Sequence, residues 1–248
     1  MTKRLKNNAA GSKTAAIEGL TAAWPICLGY IPIGLAFGVL AQKAGLSTIE
    51  IALMSVFVFA GSSQFIAVSM LSTGAAAAPI VMTTFMVNLR HLLMSSSLAV
   101  HLGNVKRSLL SIFAYGVTDE SFAVNQPKFK EGDWDIHRAL VVNHTANLAW
   151  IISSIVGGIG GQFIPEGAFG IDYALSAMFI CLLIFQINGP IYVITAMIAG
   201  IFSVFLSVWV PGNAYIVIAS MTAATLGVMI KRKRIRIQKA SDKGEKTS

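Results

Sequence analysis

Apolar residues fall into eight runs along the chain, at about residues 18–41, 50–72, 78–100, 108–124, 138–160, 172–188, 190–210 and 213–230. Several reach the roughly 20 residues that a helix rising 1.5 Å per residue needs to cross a bilayer. The run at 108–124 is short and ends on Thr118, Asp119 and Glu120, and the run at 172–188 is short too. The pattern predicts an all-α fold, a polytopic transmembrane helical bundle of seven or eight helices. Residues 17–230 form the membrane domain between a tail at 1–16 and a tail at 231–248.

Several of these helices are expected to be interrupted. The first run contains Pro25, Gly29, Pro32, Gly34 and Gly38, and a proline inside a helix removes one hydrogen bond and kinks it. The second carries Gly61, Ser62, Ser63 and Gln64 near its centre, and QINGP at 186–190 is a third candidate break. Small residues also let helices approach closely, so packing and function compete as explanations for each of them. IPIGLAFG at 31–38 echoes IPEGAFG at 164–170, a hint of the inverted repeats found in transporters.

Composition supports the membrane reading. The 248 residues are 55% hydrophobic and 12% charged, about half the charged fraction of a soluble domain, with a mean hydropathy of +0.69. The net charge of +8 sits at the ends: the tails carry +4 and +6, leaving −2 between them. Basic flanks mark the cytoplasmic side, and eight spans place both termini there. The loop at 125–137, with Lys128 and Lys130, then also lies inside, and Glu166 and Asp172 lie outside. Lys106 and Arg107 disagree, a conflict removed if one early segment is re-entrant. Tails of this kind orient a protein or touch anionic lipid, and no nucleic-acid partner is expected. Cys27 and Cys181 read as small packing residues, with no disulfide framework or metal site. The start, MTKRLKNNAAGSK, runs into a segment too long for a signal peptide.

Candidate chemistry lies in polar groups at bilayer depth, which are costly and face protein or water. In TTFMVNLRHLLMSS, helical spacing places Thr84, Asn88, His91 and Ser95 on one face. Arg90 lies about 100° away, so this helix is expected to be surrounded by protein or broken near Asn88. Asp119 and Glu120 are the only acids between Glu50 and Glu131, and either is a partner for Arg90 or a proton carrier. Asn143, His144 and Asn147 form a third cluster, and Gln186 with Asn188 a fourth. No nucleotide-binding loop, HExxH zinc motif or nucleophile triad is present. The chain reads as a carrier and not an enzyme, with no cofactor.

Four stretches carry a family resemblance: GYIPIGLAFGVLA (29–41), VFAGSSQFIAV (58–68), VNLRHLLMSSSL (87–98) and VTDESFAV (117–124). In order and spacing they resemble the AzlC-type branched-chain amino acid exporters, over roughly residues 17–230, with NLRH followed by TDE the most specific part. The resemblance implies a secondary transporter in the bacterial cytoplasmic membrane that exports leucine, isoleucine, valine and related hydrophobic amino acids such as methionine. It also implies coupling to the proton gradient and a small AzlD-type membrane subunit as partner. Free backbone groups at breaks near Pro32, Gly34, Gly61, Ser62, Ser63 and Gln64, with Asn88, Arg90 and His91, would then bind substrate. Asp119 and Glu120 would carry the proton or pair with Arg90, and Phe37, Phe59 and Phe65 would line an apolar pocket. A non-transporting scaffold subunit and a channel are the alternatives.

Overall fold

The computed structural model describes residues 2–103, 105–132, 134–165, 173, 176–177, 180, 183–184, 187, 189–209, 218–219 and 221–232, with side chains from Thr14 onward. These residues are helical apart from the connections between helices. In order they form α1 (Thr2–Lys43), α2 (Thr48–Phe57), α3 (Gly61–Ser72), α4 (Ala77–Ala99), α5 (Arg107–Tyr115), α6 (Asp119–Glu131), α7 (Ile136–Gly160) and α8 (Pro190–Ser207). A short 3-10 turn, Gly161–Phe163, extends α7, and 221–232 are helical. Among the described residues, four segments are long and apolar enough to cross a membrane: Thr14–Lys43, Ala77–Ala99, Ile136–Phe163 and Pro190–Ser207. The chain forms two compact units, Met1–Met178 and Phe179–Ser248. In the second, α8 follows Gly189, whose φ of 136° suits only glycine, and Gly227 fits against the Thr195 side chain. Gln186, Asn188, Cys181 and the echo at 166–170 lie outside the described residues.

The first unit is built on a seam between α1 and α7. Buried positions on α7 recur at Ala139, Val142, Asn143, Ala146, Asn147, Trp150, Ser153, Ser154, Gly157 and Gly158, the spacing of one helical face. Opposite them α1 presents Tyr30, Gly34, Phe37 and Ala41. Two glycines bring backbone onto backbone. A Cβ on Gly38 would lie 2.1 Å from the Ser154 carbonyl oxygen, and one on Gly157 would lie 2.2 Å from that of Leu35. A side chain at either position would force the helices apart.

The predicted breaks are distributed differently from the sequence reading. Pro25 and Pro32 both lie inside α1, which continues through them, so no break opens at Pro32–Gly34. Protein on one side of α1 supports this, because a proline in a membrane helix is tolerated where neighbours hold the backbone. The second run does break, at 58–60, immediately before Gly61. The fourth run breaks too. Residues 116–118 separate α5 from α6, and α6 runs on to Glu131 through what was expected to be a loop with Lys128 and Lys130. Thr118 and Ser121 cause this: the Ser121 amide donates to Thr118 Oγ1 (3.3 Å) and the Thr118 amide to Ser121 Oγ (2.9 Å), starting a new helix. Gly132, in the left-handed region at φ 91°, ends it.

The expectation for the Arg90 helix also needs correction. α4 is unbroken at Asn88, and within its unit only Leu98 is buried. Val81, Met82, Phe85, Leu92 and Leu93 form an exposed apolar face, and the polar groups occupy the rest of the circumference.

Asn125 and Asn143, both buried, answer each other and their neighbours, as a low-dielectric interior requires. Asn143 Nδ2 donates to the Phe113 carbonyl (3.1 Å), Asn125 Nδ2 donates to Asn143 Oδ1 (3.0 Å), and Trp134 Nε1 donates to Asn125 Oδ1 (2.9 Å). Asn143→Leu strands the Asn125 amide and leaves the Phe113 carbonyl with the Gly116 amide alone. It is expected to cost about 1–3 kcal/mol, read as a lower thermal unfolding midpoint of the purified chain in detergent. An unchanged midpoint would remove this network from the fold's support.

Candidate functional site

The two broken helices meet each other. The break before α3 holds Phe59 at φ 38°, a left-handed conformation that a phenylalanine rarely adopts. Its ring is 6.1 Å from that of Tyr115, the last residue of α5, and 6.4 Å from that of Tyr30 on α1. The Tyr115 hydroxyl donates to the Val56 carbonyl in the last turn of α2, an oxygen that the end of a helix leaves without an intrahelical partner. The C-terminal ends of α2 and α5 are therefore tied together.

Their continuations are tied by Arg90. From α4, Arg90 Nη1 pairs with Asp119 Oδ2 at 2.8 Å at the start of α6, and Nη2 donates to Ser62 Oγ at the start of α3. Arg90 Nε is buried and has no hydrogen-bond partner among the described residues. Two residues earlier on α4, Asn88 Oδ1 accepts from Ser63 Oγ at 2.6 Å. The sequence left Asp119 and Glu120 as equal candidates for Arg90; the structure selects Asp119.

Glu120 has a different partner. The Tyr30 hydroxyl lies 2.6 Å from Glu120 Oε2 and 2.8 Å from Thr118 Oγ1, joining α1 to the first turn of α6. His91 faces the Val117 backbone, with Arg90 and Glu120 as its charged neighbours. Both acids sit in the first turn of α6, where the helix dipole favours a carboxylate. The start of α3 is the opposite case. Its N-cap, Ala60, supplies no side-chain cap, so the first-turn amides lack intrahelical acceptors, and the nearest charge is a cation. The α3 end is thus electropositive, with Asp119 as its counter-ion.

Behind this centre lies an aromatic wall. Phe37 is 5.4 Å from Phe65 and 5.8 Å from Trp150, and Trp150 is 5.5 Å from Tyr30. Phe37, Phe59 and Phe65 are all buried. Gln64 belongs to the wall: its Oε1 accepts from Trp150 Nε1 at 3.0 Å and from the Ala60 amide at 3.3 Å, and its Nε2 donates to Ser55 Oγ at 3.3 Å. Gly61 fits against the Trp150 indole.

The structure brings together Ser62, Ser63, Asn88, Arg90, His91, Asp119 and Glu120 from the sequence-predicted set. Gly61 and Gln64 stand behind them. Gly34 lies in the α1–α7 seam against Ser153, and Pro32 is exposed on α1. Tyr30, Tyr115 and Trp150 were missed. A signal for Tyr30 and Trp150 existed: Tyr30 shares its helical face with Gly34 and Phe37, and Trp150 shares one with Asn143 and Asn147. His144 stands beside Tyr115, rings 6.5 Å apart, and Asn147 Nδ2 donates to the Tyr115 hydroxyl at 3.4 Å.

These features define a helical membrane protein whose interior holds a charged centre at the ends of two broken helices. Residues 25–164 match the family model described as AzlC protein, and the chain belongs to the AzlC family. It is 33% identical over 167 residues to the Branched-chain amino acid transport protein AzlC of Bacillus subtilis (strain 168), covering 65% of this chain and 64% of that one. It is 29% identical over 173 residues to the Inner membrane protein YgaZ of Escherichia coli (strain K12), covering 68% and 70%. It is also 29% identical over 214 residues to an uncharacterized membrane protein of Helicobacter pylori (strain ATCC 700392 / 26695), covering 85% and 92%. The match therefore spans somewhat less than two thirds of the Bacillus protein. No solved structure matches the chain.

Proposed function

We propose that this chain is a secondary transporter that exports leucine, isoleucine, valine and related hydrophobic amino acids, driven by the proton gradient. The observation that carries the reading is Arg90. Its two terminal nitrogens join the starts of α3 and α6, while its buried Nε has no partner among the described residues. A buried donor without a partner is costly unless something visits it. A substrate carboxylate suits that donor in charge and geometry, with Nε and the uncapped amides at the start of α3 to receive it. Asp119 answers the ammonium group, and Phe59 with the aromatic wall offers an apolar surface for the side chain. Such a surface discriminates weakly, about 1–3 kcal/mol per methylene, so several aliphatic amino acids and methionine are accepted. The name of the Bacillus relative supports the substrate class. The E. coli relative's name supports an inner-membrane location, and the basic charge of both tails supports their placement in the cytoplasm. A small AzlD-type membrane subunit completes the exporter.

Everted vesicles test the reading. Vesicles containing the chain and its small partner are expected to accumulate labelled leucine when the interior is acidified, several-fold above vesicles lacking the chain. Unlabelled isoleucine, valine and methionine should compete, and lysine should not. Equal accumulation with and without the chain would defeat the proposal. Transport by the small subunit alone would make this chain a scaffold.

A further inference from the structure

We infer that Glu120, held by the Tyr30 hydroxyl, is the proton-carrying group of this protein, and that Asp119 is a fixed counter-ion. The inference rests on the transport reading and assigns its coupling residue. The two acids are neighbours at the start of one helix, yet their partners differ in kind. Asp119 is 2.8 Å from a guanidinium nitrogen. Neutralising it would leave Arg90 as a partly buried cation without its counter-ion, which the interior resists. Glu120 is bound instead by a neutral hydroxyl that has a second acceptor within reach.

That second acceptor lets the Glu120 site be satisfied in both protonation states. With Glu120 ionised, the Tyr30 O–H donates to Glu120 Oε2 at 2.6 Å. When Glu120 takes a proton from water, its new O–H donates to the Tyr30 oxygen. The Tyr30 hydrogen then turns to Thr118 Oγ1, 2.8 Å away. The Glu120 carboxyl and the Tyr30 hydroxyl are each paired in both states, a condition Asp119 does not meet. The move also changes the load on Thr118, whose Oγ1 already accepts the Ser121 amide that caps α6. Protonation is thereby felt at the α5–α6 break, beside the Arg90 centre. The groups facing Glu120 are Tyr30 from α1 and His91 from α4, with Asp119 beside it on its own helix paired to Arg90. Tyr30 is a positioning residue acting through Glu120. Its ring is independently packed edge-on against Trp150, so Tyr30→Phe removes the hydroxyl and keeps the packing.

The experiment compares two fluxes of labelled leucine in everted vesicles containing the full chain and its small partner. One is exchange against internal unlabelled leucine, and the other is accumulation driven by a proton gradient. For Glu120→Gln, accumulation is expected to fall at least about tenfold more than exchange, and the remaining exchange to lose its pH dependence. For Tyr30→Phe the pH profile of exchange is displaced, which loss of packing alone would not do. Asp119→Asn should lose both fluxes together. Wild-type accumulation by Glu120→Gln, or an unmoved pH profile in Tyr30→Phe, overturns the inference. So does an Asp119→Asn variant that exchanges but does not accumulate. If the unaltered chain exchanges no leucine, the transport reading itself fails, and that result appears before any variant is measured.

Discussion

Arg90→Ala is expected to reduce transport at least about 100-fold and to destabilise the chain. The substitution removes the bond that joins the starts of α3 and α6, and it leaves Asp119 as a carboxylate without its cation. Removing one partner of a fully buried pair costs about 3–5 kcal/mol. Here the side chains keep 29% and 22% exposure, so about 2 kcal/mol is the better figure once screening is allowed for. Two effects are mixed in this variant, and the double substitution Arg90→Ala with Asp119→Ala separates them. It removes the orphaned carboxylate, so the unfolding midpoint should recover most of the loss. Transport should stay absent, because the Nε donor proposed for the substrate carboxylate is gone as well. If leucine flux returns in the double variant, Arg90 serves only as a bolt between helices. Leucine flux and the unfolding midpoint, measured on the parent, both single variants and the double, complete a double-mutant cycle.

Gly157→Ala is expected to be the most damaging change to the fold. Its new Cβ would stand 2.2 Å from the Leu35 carbonyl oxygen. A backbone atom cannot rotate away as a side chain can, so α1 and α7 must separate along the seam. A cost of about 3 kcal/mol or more follows, at the upper end for overpacking. Gly38→Ala meets the Ser154 carbonyl at 2.1 Å and should behave alike. Gly29→Ala is the internal control: it lies in α1 with Gly38, and a Cβ added there would meet nothing within 4 Å. It should gain about 0.5–1 kcal/mol from reduced backbone freedom. The yield of detergent-stable protein and its unfolding midpoint distinguish the three. A Gly157→Ala protein as stable as the parent would mean that the seam is looser than its geometry.

The long unbroken spans were legible because each is a continuous apolar run. α4 at Ala77–Ala99 and α7 at Ile136–Gly160 lie within two residues of the ranges read from sequence. The break before Gly61 was legible because four small and polar residues interrupt an apolar run. The α5–α6 break was not. Its cause is the reciprocal pair Thr118 and Ser121, and serine at that position is not the Glu or Gln that marks a capping box in sequence. Pro32 misled in the other direction, since a proline reports a lost hydrogen bond but not whether neighbours tolerate it. Within the site, Arg90 and the Asp119–Glu120 pair stood out because charge is rare at bilayer depth. Which acid meets Arg90 depends on the turn at 116–118, which sequence spacing does not fix. Tyr30 was hidden because a tyrosine in an apolar run is ordinary until its hydroxyl is seen to have a partner on another helix.

The seam also limits how this protein can move. Where Leu35 and Ser154 carbonyls press on the opposite backbone, neither helix can slide by a turn without a collision. α1 and α7 therefore behave as a single post. If the chain transports as proposed, exposing the Arg90 centre first to one face of the membrane and then to the other falls to the short rods on either side of 58–60 and 116–118. Arg90 and Asp119 are the clasp between those rods, and the substrate proposed to engage Arg90 would compete for the hand that holds the clasp shut.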